Sequence, residues 1–181
     1  GFQGATYFTA PNPSFGATFR LHLNGDFKKL RSKRREADKK AEAETRPVSR
    51  PTFADLRAED REEPAQVIFE VSDASGAVVR RIVKDAADGM IRAEWDLRRT
   101  APDAATSGGG EPRGSGLVPP GMYSVRAFLK PGGPLDSGVR EPLDLPQTFE
   151  VYRLYEGAIP AQDPALLAAH HGKTEDRKSV V

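Results

Sequence analysis

No cysteine occurs among the 181 residues, so a disulfide framework and a thiolate metal site are both excluded. Histidine is nearly as scarce, at three. His170 and His171 are adjacent, and neighbours on a helix cannot present both imidazoles to one metal ion; His22 alone supplies no third ligand. With no cysteine, few histidines and no Gly-x-Ser-x-Gly elbow, no nucleophile constellation can be assembled, and no enzyme active site, metal or cofactor is expected. No apolar run approaches the roughly 20 residues that span a bilayer. Neither sign of charge dominates: 27 Lys and Arg against 26 Asp and Glu leave +1, which does not direct the chain to nucleic acid or an anionic surface. A phosphate cradle is missing too. Ser107-Gly108-Gly109-Gly110 runs into no Gly-Lys-Ser/Thr, and Gly172-Lys173-Thr174 has Leu167 where the preceding glycine is required.

What is present is alternation. The organising stretch runs from Met90 to Leu129. In its first part Ile91, Ala93, Trp95 and Leu97 fall on one face and Arg92, Glu94 and Asp96 on the other, the period of a strand half buried on a core. Tyr123, Val125, Ala127 and Leu129 repeat the pattern after the Pro120-Gly121 turn. Phe19, Leu21 and Leu23 mark an earlier strand, Val67, Phe69 and Val71 another, and Phe149 and Val151 the last. Asp73-Ala74-Ser75-Gly76 reads as a hairpin connection into Val78 to Val83. The expected core is therefore Trp95, Tyr123, Phe69, Val125 and Phe149. Glu94 and Asp96 are placed on a solvated face among Arg92, Arg98 and Arg99, which oppose a cation. The polar, glycine-rich stretch from Thr100 to Leu117 reads as a mobile loop, Pro131 to Pro134 as a hairpin loop, Gly138 to Leu143 as a poorly patterned strand, and Pro164 to Ala169 as one or two helical turns.

Two helices interrupt the strands. Asp26 is read as the N-cap of a helix reaching about Thr45, with Phe27, Leu30, Ala37 and Ala41 on a narrow stripe. Its basic run from Lys28 to Lys40 is interleaved with Glu36, Asp38, Glu42 and Glu44 and carries no stacking aromatics, so a solvated helix is expected rather than a nucleic-acid surface. Thr52, with Asp55 three residues on, caps a second, acidic helix through Glu63. A carboxylate pair there could be imagined for glycoside hydrolysis, but an exposed short helix without a cleft shifts no pKa, so no catalytic residue is assigned. The two helices are expected to lie against each other and over the outer sheet, covering Ile68, Val78 and Ile82.

Several separated motifs carry a resemblance. Val79-Arg80-Arg81-Ile82, Gly89, Trp95-Asp96-Leu97-Arg98 and Pro119-Pro120-Gly121-Met122-Tyr123 resemble the Ig-like sandwich domain of flagellar hook-capping proteins and of the C-termini of secreted bacterial enzymes. Tyr7-Phe8-Thr9-Ala10-Pro11-Asn12-Pro13, Phe15-Gly16-Ala17, Leu56 to Glu63 and Gln147-Thr148-Phe149-Glu150-Val151 are similar to the C-terminal region of bacterial sortilin-like, BNR-repeat "glycosyl hydrolase" β-propeller proteins. The sequence departs from the hook-capping pattern at Leu97, where a glycine is usual. The resemblance implies an all-β, Ig or fibronectin-III-like sandwich of about seven strands with a charged helical insertion. It implies residues 1–15 as an arm from a preceding domain, 16–153 as the sandwich with its insertion at 26–63, and 154–181 as a tail. It further implies a secreted, periplasmic or cell-envelope accessory domain whose partner is the preceding β-propeller of the same chain and, beyond it, a glycan or protein. The alternative is a stand-alone carbohydrate-binding module, for which the outward-facing Phe128 and Tyr152 are the candidate ligand contacts. Asp176-Arg177-Lys178-Ser179-Val180-Val181 can be back-translated as GAT-CGG-AAG-AGC-GTC-GTG, a string that resembles a common short-read sequencing adapter read in frame; 176–181 are expected to be foreign to the protein, and, since the chain opens on glycine, its natural start is expected upstream.

Overall fold

The computed structural model describes residues 14–100, 114–134, 139–154 and 163–170, which are mostly β, with antiparallel sheets and three helices. Strand β1 (Ala17–Leu23) pairs along its whole length with β5 (Gly89–Trp95), Ala17 opposite Trp95 and Leu23 opposite Gly89. A larger sheet centres on β3 (Gln66–Asp73), which lies between β4 (Val78–Asp85) and β8 (Gly121–Lys130). On its other side β8 carries β10 (Glu141–Pro142) and β11 (Gln147–Val151). Two small pairs complete the ladders: β2 (Glu62–Glu63) with β9 (Gly133–Pro134), and β6 (Arg98–Thr100) with β7 (Gly114–Leu117).

The alternation seen in the sequence becomes the interior. Leu23, Ile91, Ala93 and Trp95 from the small sheet form one buried cluster with Val67, Phe69, Val71, Val79, Ile82 and Tyr123 from the larger one. Trp95, 1% exposed, meets the edges of Tyr123 and Phe149 at centroid distances of 5.7 and 6.1 Å. Its indole N–H donates to the Arg98 carbonyl at 2.9 Å, so the polar atom of the ring is satisfied inside the core. Phe19 lies between Phe69 and Phe149, at 6.2 and 5.6 Å. Of the five expected core residues, Trp95, Tyr123 and Phe69 are buried, and Val125 and Phe149 pack half-buried against them.

Backbone geometry beside Trp95 is tight. Gly16 has φ +119°, and a β-carbon there would stand 1.9 Å from the Trp95 carbonyl oxygen, so only glycine fits. Leu97, at the position where the hook-capping pattern has glycine, adopts φ +58°, the left-handed conformation. The turn is therefore made without the glycine. The Asp96 carboxylate accepts the Arg98 N–H at 3.1 Å, and the Leu97 carbonyl accepts the Val118 N–H at 2.8 Å.

Three sequence expectations are corrected. First, a bulge between Val71 and Ser72 resets the phase of β4: Ile82 comes opposite Phe69 and enters the core, while Val78 and Val83 stay exposed. The same bulge turns the consecutive Val79 and Arg80 both into the interior, and among the described residues Arg80 Nη1 finds no hydrogen-bond acceptor. Second, the inserted helices pack no buried face onto the outer sheet, where Ile68 is buried but Val78 is exposed. Neither α1 (Leu30–Ala43) nor α2 (Phe53–Arg61) contains a buried residue. They hold each other instead, through a bidentate pair of Arg34 Nε and Nη2 with Glu59 at 2.6 and 3.0 Å. Third, Asp26 is not the cap of α1. It accepts the Lys28 N–H at 3.1 Å and pairs with Lys33 at 3.0 Å, and Phe27 stays outside the helix, packed on the core. The exposed Leu30 N–H at the start of α1 is taken by Glu62 at 2.7 Å, from beyond the end of α2. The Thr52–Asp55 capping box on α2 forms as its sequence predicts.

Elsewhere Gly133 and Pro134 pair with Glu62 and Glu63 rather than making a simple loop, and Lys130 binds Glu63 at 2.6 Å, which fastens the insertion to the end of β8. The ends of the expected Thr100 to Leu117 loop are strands, β6 and β7; residues 101–113 lie outside the described residues, as do 1–13 and 171–181. From the expected strand at Gly138 to Leu143, whose Gly138 lies outside the described residues, Glu141 and Pro142 are the described residues that join a ladder. A third helix, α3 (164–170), stands where one or two turns were expected.

Candidate interaction groove

A concavity lies at one end of the sheets. Phe15 enters it just before β1; Leu117 and Val118 enter from the β7–β8 connection, Val151 to Leu154 from the end of β11, and Pro164, Leu167 and Ala168 from α3. Its volume is about 530 Å³, and among the described residues Arg98 and Arg153 are its only charged lining residues. Much of its apolar surface faces solvent: Phe15 is 68% exposed, Tyr152 67% and Leu154 86%, and Leu117 and Leu167 are exposed as well. Scattered exposed leucines are ordinary, but a contiguous apolar concavity of this kind marks a surface that something covers.

The groove owes its place to local rules. β11 ends after Val151, and the chain continues through Tyr152 and Leu154 without a ladder partner, so their side chains are not directed to the core by any pleat. Pro119 and Pro120 hold the entry to β8 extended. Just inside, the Tyr123 hydroxyl donates to the Pro119 carbonyl at 2.7 Å and is pushed up from its ordinary pKa by burial, so it serves as a neutral anchor. The rim of the groove is thus apolar, and a buried hydrogen bond lies just inside it.

Phe128 and Tyr152 are not brought together. Phe128 sits on the outward face of β8, opposite Ile68 and Pro142, half-buried, with the Arg126 guanidinium 5.4 Å over its ring. Tyr152 lies beyond Val151, which pairs with Gly121 at the other end of β8. At about 3.3 Å per residue, that separates the two rings by roughly 20 to 25 Å, too far for one sugar-stacking platform.

The charged groups are engaged in structure. Asp26, Asp55, Glu59 and Asp73 all lie below the ordinary carboxyl range, held there first by hydrogen bonds from Lys33, Thr52, Arg34 and Ser75 respectively. A general acid needs the opposite shift. Glu94 pairs with Arg92 at 2.7 Å and Asp96 with Arg98 at 3.9 Å. In the basic run Lys28 binds Glu36 at 2.7 Å. Among the described residues no three His, Asp or Glu side chains gather as a metal site, and no helix is long and apolar enough to cross a membrane. His22 projects from β1 and His170 ends α3.

The groove itself escaped the sequence reading. Its signal was Phe15, Leu154 and Leu167, large apolar residues in segments that carry no strand pattern. Compared with protein-family models, with curated proteins and with solved structures, the chain matches none of them.

Proposed function

We propose that this chain is a non-catalytic accessory domain that docks on a neighbouring domain through the apolar groove. The observation that carries the reading is the exposed rim of Phe15, Leu117, Tyr152 and Leu154 around a cavity with little charge. Such a surface fits the apolar side of a folded neighbour better than it fits a polar sugar. The lowered carboxyls fit a structural role, each being held ionised by a donor that belongs to the fold.

In this reading the fold is an Ig or fibronectin-III-like sandwich of about seven principal strands, in which the β1–β5 sheet packs on the β3-centred sheet. Two details support it: the lone tryptophan lies at the centre of the shared core, and the Tyr123 hydroxyl returns to the backbone four residues upstream, the bond of a tyrosine corner. The motif resemblance extends the proposal to the C-terminal region of a secreted or cell-envelope β-propeller protein of the sortilin-like or BNR-repeat type.

Sequencing the source DNA outward from both ends, and producing the encoded upstream domain separately, tests this. The expected results are propeller repeats in frame upstream, micromolar binding of that domain, and at least tenfold weaker binding by the Leu117→Asp and Tyr152→Asp variants. A start codon directly upstream with no further domain, or binding unchanged by both variants, overturns it.

A further inference from the structure

We propose that the free edge of β1 is a docking site for an extended acidic segment of a partner protein, which adds to it as a third strand of the small sheet. Among the described residues β1 pairs only with β5, in an unbroken register from Ala17 to Leu23. In such an antiparallel ladder alternate residues turn their N–H and C=O groups away from the partner, leaving a template for another strand. Of the usual guards of an open edge β1 has no proline, no lysine and no bulge, and carries only the charge of Arg20.

The core shows what a third strand would cover. On the inner face of the larger sheet, Val67, Phe69 and Val71 of β3 and Ile82 of β4 are buried, whereas Val125 and Ala127 of β8 and Phe149 of β11 are only half-buried. The two-stranded sheet is thus narrower than the sheet it faces. β5 follows β4 through a short turn, and β1 lies outside β5, with Phe19 against Phe149. A strand beyond β1 would extend the cover over the half-buried flank, as strand addition does.

Charge selects the occupant. Arg20, exposed on the outer face of β1, stands directly opposite Arg92 of β5, and Arg92 is already engaged by Glu94 at 2.7 Å. Like charges across a ladder repel, and a carboxylate opposite Arg20 on its free side would offset this. A second copy is a poor occupant: antiparallel pairing about the middle of β1 sets Arg20 against its own counterpart. The favoured segment is extended, with apolar residues opposite Phe19 and Leu21 and an acid between them. This inference stands independently of the groove.

The probe is a capped nonapeptide, TVTVEVTVT, against its lysine counterpart TVTVKVTVT, added to the full chain and followed by amide hydrogen exchange. The acidic peptide is expected to slow the outward amides of 17–23 at least tenfold at about 1 mM, and the lysine peptide to bind at least tenfold more weakly. Arg20→Glu, an exposed substitution that leaves the core intact, should reverse that order. Equal slowing by both peptides, or slowing by neither, overturns the proposal. So does protection of both sets of β1 amides in the free chain, which means the edge is taken within the chain. Protection that rises with protein concentration alone assigns the edge to a second copy and overturns it too.

Discussion

Removing the Trp95 ring should cost more than any other single truncation in the core. An aromatic of this size buries about 150 to 250 Å², worth roughly 4 to 6 kcal/mol at about 25 cal/mol per Å². Alanine keeps the β-carbon and the surroundings relax in part, which brings the expectation to about 3 to 5 kcal/mol. Two features place Trp95 at the upper end: the edge contacts with Tyr123 and Phe149 are lost, and the Arg98 carbonyl loses its donor. We therefore expect about 4 to 5 kcal/mol for Trp95→Ala and about 1 to 2 kcal/mol for Trp95→Phe, which keeps a ring but not the indole N–H. Since Trp95 is the only tryptophan, its fluorescence reports the native core but vanishes in the variants, so urea unfolding must be followed by far-ultraviolet circular dichroism. In the native protein its emission should be blue-shifted and poorly quenched by acrylamide. A Trp95→Ala cost below about 1.5 kcal/mol would refute the assignment of this ring as the meeting point of the two sheets.

Gly16→Ala forces a β-carbon onto the Trp95 carbonyl at positive φ and should destabilise by about 3 kcal/mol or more by urea titration, whereas Gly133→Ala, with open space at its β-carbon, should cost little. At Leu97 the ordinary order of substitutions should invert: glycine relieves the left-handed strain and alanine does not, so Leu97→Gly should be about 1 kcal/mol more stable than Leu97→Ala, and equal midpoints would contradict the strained turn. Acid should part the two inserted helices. The Arg34 guanidinium lowers the Glu59 pKa in the folded state, so this contact is fully present above the unfolded glutamate value, about 4.3, and is lost as pH falls through the folded one. Backbone amide shifts of Ala37 and Ala58 should follow that titration, and Glu59→Gln should abolish it; movement of both amides in the Gln variant at the same pH would assign the transition elsewhere.

The strands were legible where a period of two runs unbroken, as in Phe19-x-Leu21-x-Leu23 and Ile91-x-Ala93-x-Trp95. β4 was misread in phase because Val78 and Val79 are both apolar, so nothing local says which faces inward; the answer comes from a bulge at Val79, which is skipped between the Val71–Arg80 and Ser72–Val78 pairs. β6 and β7 escaped because Gly114 to Leu117 carries almost no side-chain pattern, and their pairing rests on backbone groups. The cap of α1 escaped for a different reason: Glu62 is 32 residues from Leu30, beyond the reach of any local rule. The charged helices were expected to act as a lid because exposed apolar rows ask for one, yet neither buries a residue, and Arg34 and Glu59 bind each other. The groove is a property of how four chain segments meet, and no one of them announces it.

The central claim is that the apolar groove is an interface. It is tested most directly by amide hydrogen exchange of this domain alone and joined to the domain that the proposal expects upstream of it, read at residues 115–122 and 150–154. We expect slower exchange at both stretches in the joined protein, with 78–85 on the far strand unchanged. Identical exchange at 115–122 and 150–154 in the two proteins would contradict the claim.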